Sequence, residues 1–177
     1  PKKGDEYDDE AIDFMTGVCF KSVVYGCQAA FRYMKKQHSG AIVNVSSLAA
    51  RCPSAGRSTL YGPLKSAINN LTNTFAGEYC PYNVRVTCIM PGFTLTPAVK
   101  RTISPEELNM NTQATLLRRA ANPEEIARPI VFLASSAASY MTATTIEVSG
   151  GRSMTLNPSF AYDRLATRSE EHTSELQ

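Results

Sequence analysis

A tyrosine and a lysine four residues apart, Tyr61 and Lys65, lie in a segment whose apolar residues recur with a helical period. Side chains four apart on a helix share one face. A tyrosine hydroxyl has an ordinary pKa near 10, so proton exchange near neutral pH requires about 4 kcal/mol of extra stabilisation for its phenolate. A neighbouring ammonium supplies such stabilisation. The pair therefore predicts a general acid/base on a helix, although Y-x-x-x-K alone is common on exposed helix faces.

Ser47 lies before this helix, directly after the β-rich run AIVNV. In open parallel sheets, ligands bind just outside the carboxyl ends of the strands. The loop that follows Ser47 can return the chain so that Tyr61 lies beside it. A serine hydroxyl there would hydrogen-bond a reacting oxygen and orient it.

Hydrophobic periodicity predicts the elements that must position these residues. We expect one long helix whose buried stripe includes Val18, Tyr25 and Tyr33, and a later helix with Ile126, Ile130, Val131 and Leu133 inward. The predicted helices are 8–37, 61–78 and 122–135, and the predicted strands are 41–45, 84–89 and 144–148. Segment 46–59 is predicted to be a loop, and 93–121 to be part loop and part short helix. Strands that alternate with helices favour an α/β fold with a parallel sheet.

Length and composition bound the function. The 177 residues suit one domain, and a net charge of +2 does not favour nucleic acid as a partner. The apolar runs are too short for a membrane span. Five cysteines without a CxxC, and histidines only at His38 and His172, favour reduced thiols in a cytoplasmic setting and no metal site. The final segment 168–177, RSEEHTSELQ, resembles a translated sequencing adapter, so we expect 1–167 to be the domain and 168–177 a non-native tail.

Five segments in order resemble the C-terminal part of the classical short-chain dehydrogenase/reductase family. They are AIVNVSS (41–47), YGPLK (61–65), VRVTCIMPGFTLT (84–96), NPEEIARPIVFLAS (122–135) and TTIEVSGG (144–151). The resemblance implies the later part of a Rossmann-like, doubly wound parallel sheet whose N-terminal strands are missing. It also implies an NAD(P)-dependent oxidoreductase that interconverts an alcohol and a ketone or aldehyde by hydride transfer.

The resemblance also implies roles for single residues. Tyr61 would be the general acid/base, Lys65 would hold the nicotinamide ribose, and Ser47 would orient the substrate oxygen. The residues implied in binding NAD or NADP are Tyr61, Lys65, Pro91, Gly92, Thr94 and Thr96. Two alternatives stay open, in which Ser46 is the reacting hydroxyl or Thr96 only caps the following turn. The implied partners are a small-molecule alcohol or carbonyl and, at full length, other copies in a dimer or tetramer.

The chain departs from the family pattern at several positions. Cys19 stands where an asparagine often completes a proton relay, Ser149 where an aspartate is common, and Ala143 where a glycine is common. The glycine-rich phosphate loop and the residue that selects NAD or NADP do not occur. We therefore expect the isolated chain to be inactive. An inactive remnant used for packing or oligomerisation is the main alternative function, and a Ser–Lys hydrolase is disfavoured because no G-x-S-x-G surrounds Ser47.

Overall fold

The computed structural model describes residues 2–52, 58–152 and 157–174, with side chains through residue 167. The helices and strands in chain order are α1 (Asp9–Thr16), α2 (Ser22–Gln37), β1 (Gly40–Val45), α3 (Tyr61–Tyr79), β2 (Val84–Pro91), α4 (Pro97–Thr102), α5 (Pro105–Gln113), α6 (Pro123–Ala134), β3 (Thr144–Val148) and α7 (Phe160–Ser174). The chain divides into two compact units, one formed by Pro1–Gly92 with Pro123–Val148 and the other by Phe93–Asn122 with Ser149–Gln177.

The first unit contains a parallel sheet in the order β1-β2-β3. Its central strand β2 is a near-continuous apolar run, and Val84, Val86, Cys88, Ile89 and Met90 are all buried. Such a run is typical of a parallel strand that is covered on both faces. The predicted α/β class with a parallel sheet is confirmed. Strand β2 runs two residues further than expected, because Met90 and Pro91 still pair with β3.

The predicted long helix is α1 and α2 joined by a π-helical turn, Gly17–Lys21. Its predicted buried stripe is wrong at Val18, Tyr25 and Tyr33, which are 57%, 63% and 71% exposed. The inward side of α2 consists of Val23, Val24, Cys27, Phe31 and Met34. The π turn holds more residues than an α turn, so the apolar period of α1 does not continue in register into α2.

A buried polar chain joins α2, β1 and α3. The Cys27 thiol donates to Asn44 Oδ1 at 3.3 Å, Asn44 Nδ2 donates to Thr72 Oγ1 at 3.0 Å, and Thr72 Oγ1 donates to the Ile68 carbonyl at 2.9 Å. Each buried group thereby has a partner, which removes the cost of burying it unpaired.

Helix α6 begins at Pro123, as its Asn-Pro-Glu-Glu start predicts. Ile126 and Leu133 are buried, but the prediction for Val131 is wrong, because this side chain is 68% exposed. The end of α6 is fastened to β2 by Arg85, whose guanidinium donates to the carbonyls of Leu133, Ser135 and Met141 at 3.0–3.1 Å.

The second unit contains α4, α5 and α7. Helix α4 begins at Pro97 and α5 at Pro105, so each has proline at its first position, where the missing N–H costs nothing. These two short helices confirm the prediction that 93–121 is part loop and part short helix. Helix α7 continues to Ser174, into the segment interpreted as a non-native tail, and residues 175–177 lie outside the described part of the chain.

Candidate active site

Ser47 follows β1 by two positions and caps a short 3₁₀ turn, Leu48–Ala50, which we call the Ser47 turn. Its Oγ accepts a hydrogen bond from the Ala49 N–H at 3.2 Å. The hydroxyl proton is therefore not used in this bond. The capping bond instead orients Oγ at the carboxyl end of the strand, which is where the sequence places a substrate-orienting serine.

The Ser47 turn is held on two sides. A Cβ on Gly62 would lie 2.7 Å from the Ala49 carbonyl oxygen, so only glycine permits this approach of α3. On another side, Arg51 Nη1 contacts Glu147 Oε2 of β3 at 2.6 Å, and the Glu147 side chain is only 14% exposed. Because Tyr61 immediately precedes Gly62, the close approach brings the start of α3 against the turn that Ser47 caps.

Lys65 lies one turn after Tyr61 on α3, and its Nζ is 5.7 Å from the centroid of the Tyr61 ring. The ammonium donates to the Val45 carbonyl at the end of β1, at 3.0 Å. Burial lowers the pKa of Lys65, and the thiols of Cys19 and Cys88 oppose that shift. The lysine charge is thus placed between the tyrosine and the end of the strand that leads to Ser47.

Ser46 differs sharply from its neighbour Ser47. It is 3% exposed, and its Oγ donates to the Lys65 carbonyl at 2.8 Å. The Ser46 hydroxyl is therefore buried and already donates to a backbone carbonyl, which argues against Ser46 as the reacting group. The alternation of side chains along an extended strand could have indicated this, since Ser46 shares parity with the buried Asn44.

Cys19 lies within the π turn, and it and Cys88 are the cysteines whose negatively charged thiolate forms would favour a protonated Lys65. Burial raises the pKa of Cys88. Cys88 Sγ lies 3.6 Å from Asn69 Oδ1 and also donates to the Ile89 carbonyl. Neither the π turn nor the nearness of Cys88 to Lys65 was predicted, because both depend on how distant segments pack.

The residues expected to bind a dinucleotide fall in both units. Pro91 ends β2 in register with Val148, and the Gly92 N–H donates to the Val148 carbonyl at 2.9 Å, so both lie at the carboxyl edge of the sheet. In the second unit, Thr94 forms a parallel bridge with Ala121. Thr96 caps α4, because its Oγ1 accepts from the Val99 N–H at 3.3 Å.

Several absences concern the described residues only. Within them, no group of three His, Cys, Asp or Glu side chains is placed to hold a metal ion. All five cysteines lie there and have free thiols. No helix in the same ranges is both long and apolar enough to pass through a lipid bilayer.

Comparison with known proteins shows which proteins this chain is similar to. The sequence model of a family described as "Enoyl-(Acyl carrier protein) reductase" matches residues 2–153. The chain is 41% identical over 135 residues to a 3-oxoacyl-[acyl-carrier-protein] reductase from Chlamydia pneumoniae, covering 73% of this chain and 52% of the relative. It is 33% identical over 144 residues to a cyclopentanol dehydrogenase from Comamonas testosteroni, covering 81% and 57%.

Solved structures agree with the fold. A 3-oxoacyl-[acyl-carrier protein] reductase from Brucella melitensis superposes with a TM-score of 0.82 at 30% identity, covering 87% of this chain and 57% of that one. Another reductase from the same organism, described with bound NAD, gives a TM-score of 0.79 at 29% identity and covers 87% and 56%. The chain thus spans about half the length of the relatives it matches. With the Ser47, Tyr61 and Lys65 segments inside the matched residues, the chain belongs to the short-chain dehydrogenase/reductase family.

Proposed function

We propose that this chain is the catalytic part of an NAD(P)-dependent oxidoreductase that interconverts a small-molecule alcohol and its ketone or aldehyde. The observation that carries the proposal is the position of the Lys65 ammonium, 5.7 Å from the Tyr61 ring centroid and bonded to the end of β1. The related proteins named as a 3-oxoacyl reductase and a cyclopentanol dehydrogenase support the same alcohol–carbonyl pair.

In this proposal each side chain acts on the reacting oxygen or on its neighbour. The Tyr61 hydroxyl gives a proton to the carbonyl oxygen in reduction and takes it back in oxidation. The positive charge of the Lys65 ammonium compensates the negative charge that develops on the Tyr61 oxygen as its proton leaves. The Ser47 hydroxyl donates to the substrate oxygen and fixes its position as negative charge develops there. Burial of Lys65 strengthens its effect on Tyr61, because charges interact more strongly away from water.

The residues present fit a nicotinamide dinucleotide, which when bound supplies or accepts the hydride. An ammonium has three donors and no acceptor, and Val45 uses one of the three on Lys65. The remaining donors suit ribose hydroxyls. Pro91 and Gly92 lie at the carboxyl edge of the sheet, where such ligands bind in open α/β folds. The assignment of Thr94 and Thr96 to the same cofactor stays a prediction of the sequence.

The role of Ser47 is tested by comparing Ser47→Ala with Ser135→Ala in a protein of the relatives' length that carries this chain. Ser135 caps the 3₁₀ turn Ser136–Ala138 with the same type of hydrogen bond, accepting from the Ala137 N–H at 3.2 Å. We expect Ser47→Ala to lower kcat for NAD(P)H-dependent carbonyl reduction by roughly 100-fold. Ser135→Ala should leave kcat close to that of the wild type. If both substitutions change kcat equally, Ser47 acts only as a capping residue and has no role in the mechanism.

A packing or oligomerisation module is the second candidate. One observation favours it: four apolar side chains on α1, the π turn and α2 are exposed, and we call them the apolar stripe: Phe14, Val18, Tyr25 and Tyr33. We propose that a second copy of the chain covers this stripe. Replacing Tyr25 with Glu should then shift the protein to monomer in light scattering. If the dimer also shows turnover that depends on Tyr61, the catalytic function is assigned as well. If stable dimers show no such turnover, only the packing or oligomerisation module remains.

A further inference from the structure

We propose that Ser46 is a positioning residue that locks α3 to the end of β1 at Lys65 and so holds the Lys65 ammonium on the Val45 carbonyl. This inference rests on the proposed function for its catalytic meaning, but not for its geometry. The sequence alone offers Ser46 only as an alternative to Ser47. Its buried hydroxyl instead donates to the backbone carbonyl of Lys65, whose side-chain ammonium lies beside the Tyr61 ring.

Two hydrogen bonds join the dipeptide Val45–Ser46 to the single residue Lys65. Ser46 Oγ donates to the Lys65 carbonyl at 2.8 Å, and Lys65 Nζ donates to the Val45 carbonyl at 3.0 Å. The two bonds close a ring through the lysine side chain and the serine backbone. A flexible lysine loses about 2 kcal/mol of rotamer freedom when it is held in one conformation. The Ser46 bond fixes the Lys65 backbone next to Val45, which carries the acceptor. The ammonium therefore has fewer accessible positions, and it loses less rotamer freedom when it binds the Val45 carbonyl.

Ser46 can act in this way because its own backbone is fixed. Its N–H donates to the Ile89 carbonyl at 2.8 Å, which extends the β1–β2 pairing by one residue beyond the strand. The Lys65 carbonyl lies in the second turn of α3 and has two lone pairs, so it accepts from Ser46 without giving up a helical bond. The Ser46 hydroxyl thus links the sheet, whose backbone is fixed by strand pairing, to the turn of α3 that carries Lys65.

The groups that act on the Lys65 ammonium come from three elements. Tyr61 lies on its own helix, Cys19 on the π turn and Cys88 on β2. Burial is the main cause of the lowered pKa of Lys65, and the two thiols oppose it. If the ammonium leaves the Val45 carbonyl for solvent, the burial is relieved and the pKa of Lys65 rises toward its ordinary value.

The test follows the ¹³Cε resonance of Lys65 in a pH titration, which needs no turnover. In Ser46→Ala we expect the pKa of Lys65 to rise from its lowered value. Ser46→Cys, which fills the same space with a weak donor, should do the same, and Ser46→Thr should restore the wild-type titration. Thr115→Val is the matched control, because Thr115 is also buried and donates to the Thr112 carbonyl at 2.8 Å. This variant should leave the titration of Lys65 unchanged.

An unchanged Lys65 titration in Ser46→Ala and Ser46→Cys would overturn the proposal. Loss of folding in both variants would also count against it, because Ser46 would then be a determinant of folding rather than of position. In a protein of the relatives' length, kcat of Ser46→Ala should fall roughly 10- to 100-fold with KM little changed. If Tyr61→Phe retains turnover while Lys65 still responds to Ser46, the proposed function fails and the positioning role stands.

Discussion

Lys65 illustrates what single residues reveal and hide in the sequence. Its spacing from Tyr61 predicts one shared helix face, and the 5.7 Å separation of Nζ from the ring centroid agrees with this. The carbonyl that holds its ammonium, that of Val45, is not predictable, because any residue type offers the same backbone oxygen. Ser46 escapes prediction for a similar reason, since its partner is the backbone of a residue on another element.

Ala143 gives a prediction at the same scale. It stands where the family commonly has glycine, and its backbone is left-handed, with φ of +50°. A side chain with a Cβ pays about 1 kcal/mol for this conformation. We expect Ala143→Gly to raise the free energy of unfolding by about 1 kcal/mol, as measured by urea denaturation.

Asn83 is the control for this substitution, because its φ is +56° but asparagine tolerates the left-handed region. Its Nδ2 also donates to the His38 carbonyl at 3.1 Å. Asn83→Gly should therefore bring no gain in stability. A gain at Asn83 with none at Ala143 would show that backbone strain at Ala143 is not what distinguishes the two positions.

At the scale of elements, regular periods were predictable and interruptions were not. The alternation of strands and helices predicts the parallel sheet, and the start of α6 follows from its Asn-Pro-Glu-Glu signal. The π turn Gly17–Lys21 carries no comparable signal, and it displaces the apolar stripe expected for α1 and α2. Val131 is exposed for a different reason. The helical period predicts which side of α6 faces inward, and Ile126 and Leu133 are buried as expected, but the period alone does not fix the width of the buried face.

The contact of α3 with the Ser47 turn gives the element-scale prediction. Alanine is normally better than glycine in a helix by about 1 kcal/mol. At Gly62, however, a Cβ would lie 2.7 Å from the Ala49 carbonyl oxygen, so the turn or the helix must move. We expect Gly62→Ala to lower the free energy of unfolding by roughly 1–3 kcal/mol. Gly77 lies on the same helix with no atom within 4 Å of its Cβ position, so Gly77→Ala should be neutral or stabilising. Similar changes at both positions would mean that the close approach does not constrain the site.

At the scale of the whole molecule, the chain spans about half the length of its relatives. Within the described residues, β1 pairs with β2 alone, so its other edge has no strand beside it. An uncovered edge favours association with other chains. The sequence contains the segments of Ser47, Tyr61 and Lys65 that we propose to be catalytic, but it contains no glycine-rich phosphate loop.

This division predicts a clear difference in cofactor binding. The 177-residue chain alone should not enhance or quench NADH or NADPH fluorescence on titration, because the pyrophosphate lacks its glycine-rich cradle. A protein of the relatives' length that carries this chain should bind one of the two cofactors. Saturable binding of either cofactor by the isolated chain would show that the dinucleotide site is more complete than the sequence indicates.

The most direct test concerns Tyr61 as the proton-transferring group. In a protein of the relatives' length that carries this chain, Tyr61→Phe removes only the hydroxyl and leaves the ring beside Lys65. The measurement is the rate of NAD(P)H oxidation with a carbonyl substrate, alongside cofactor binding to the same variant. We expect the rate to fall roughly 100- to 10,000-fold while the cofactor still binds. A rate within about threefold of the wild type, a difference of less than 1 kcal/mol, would contradict the assignment of Tyr61 as the general acid/base.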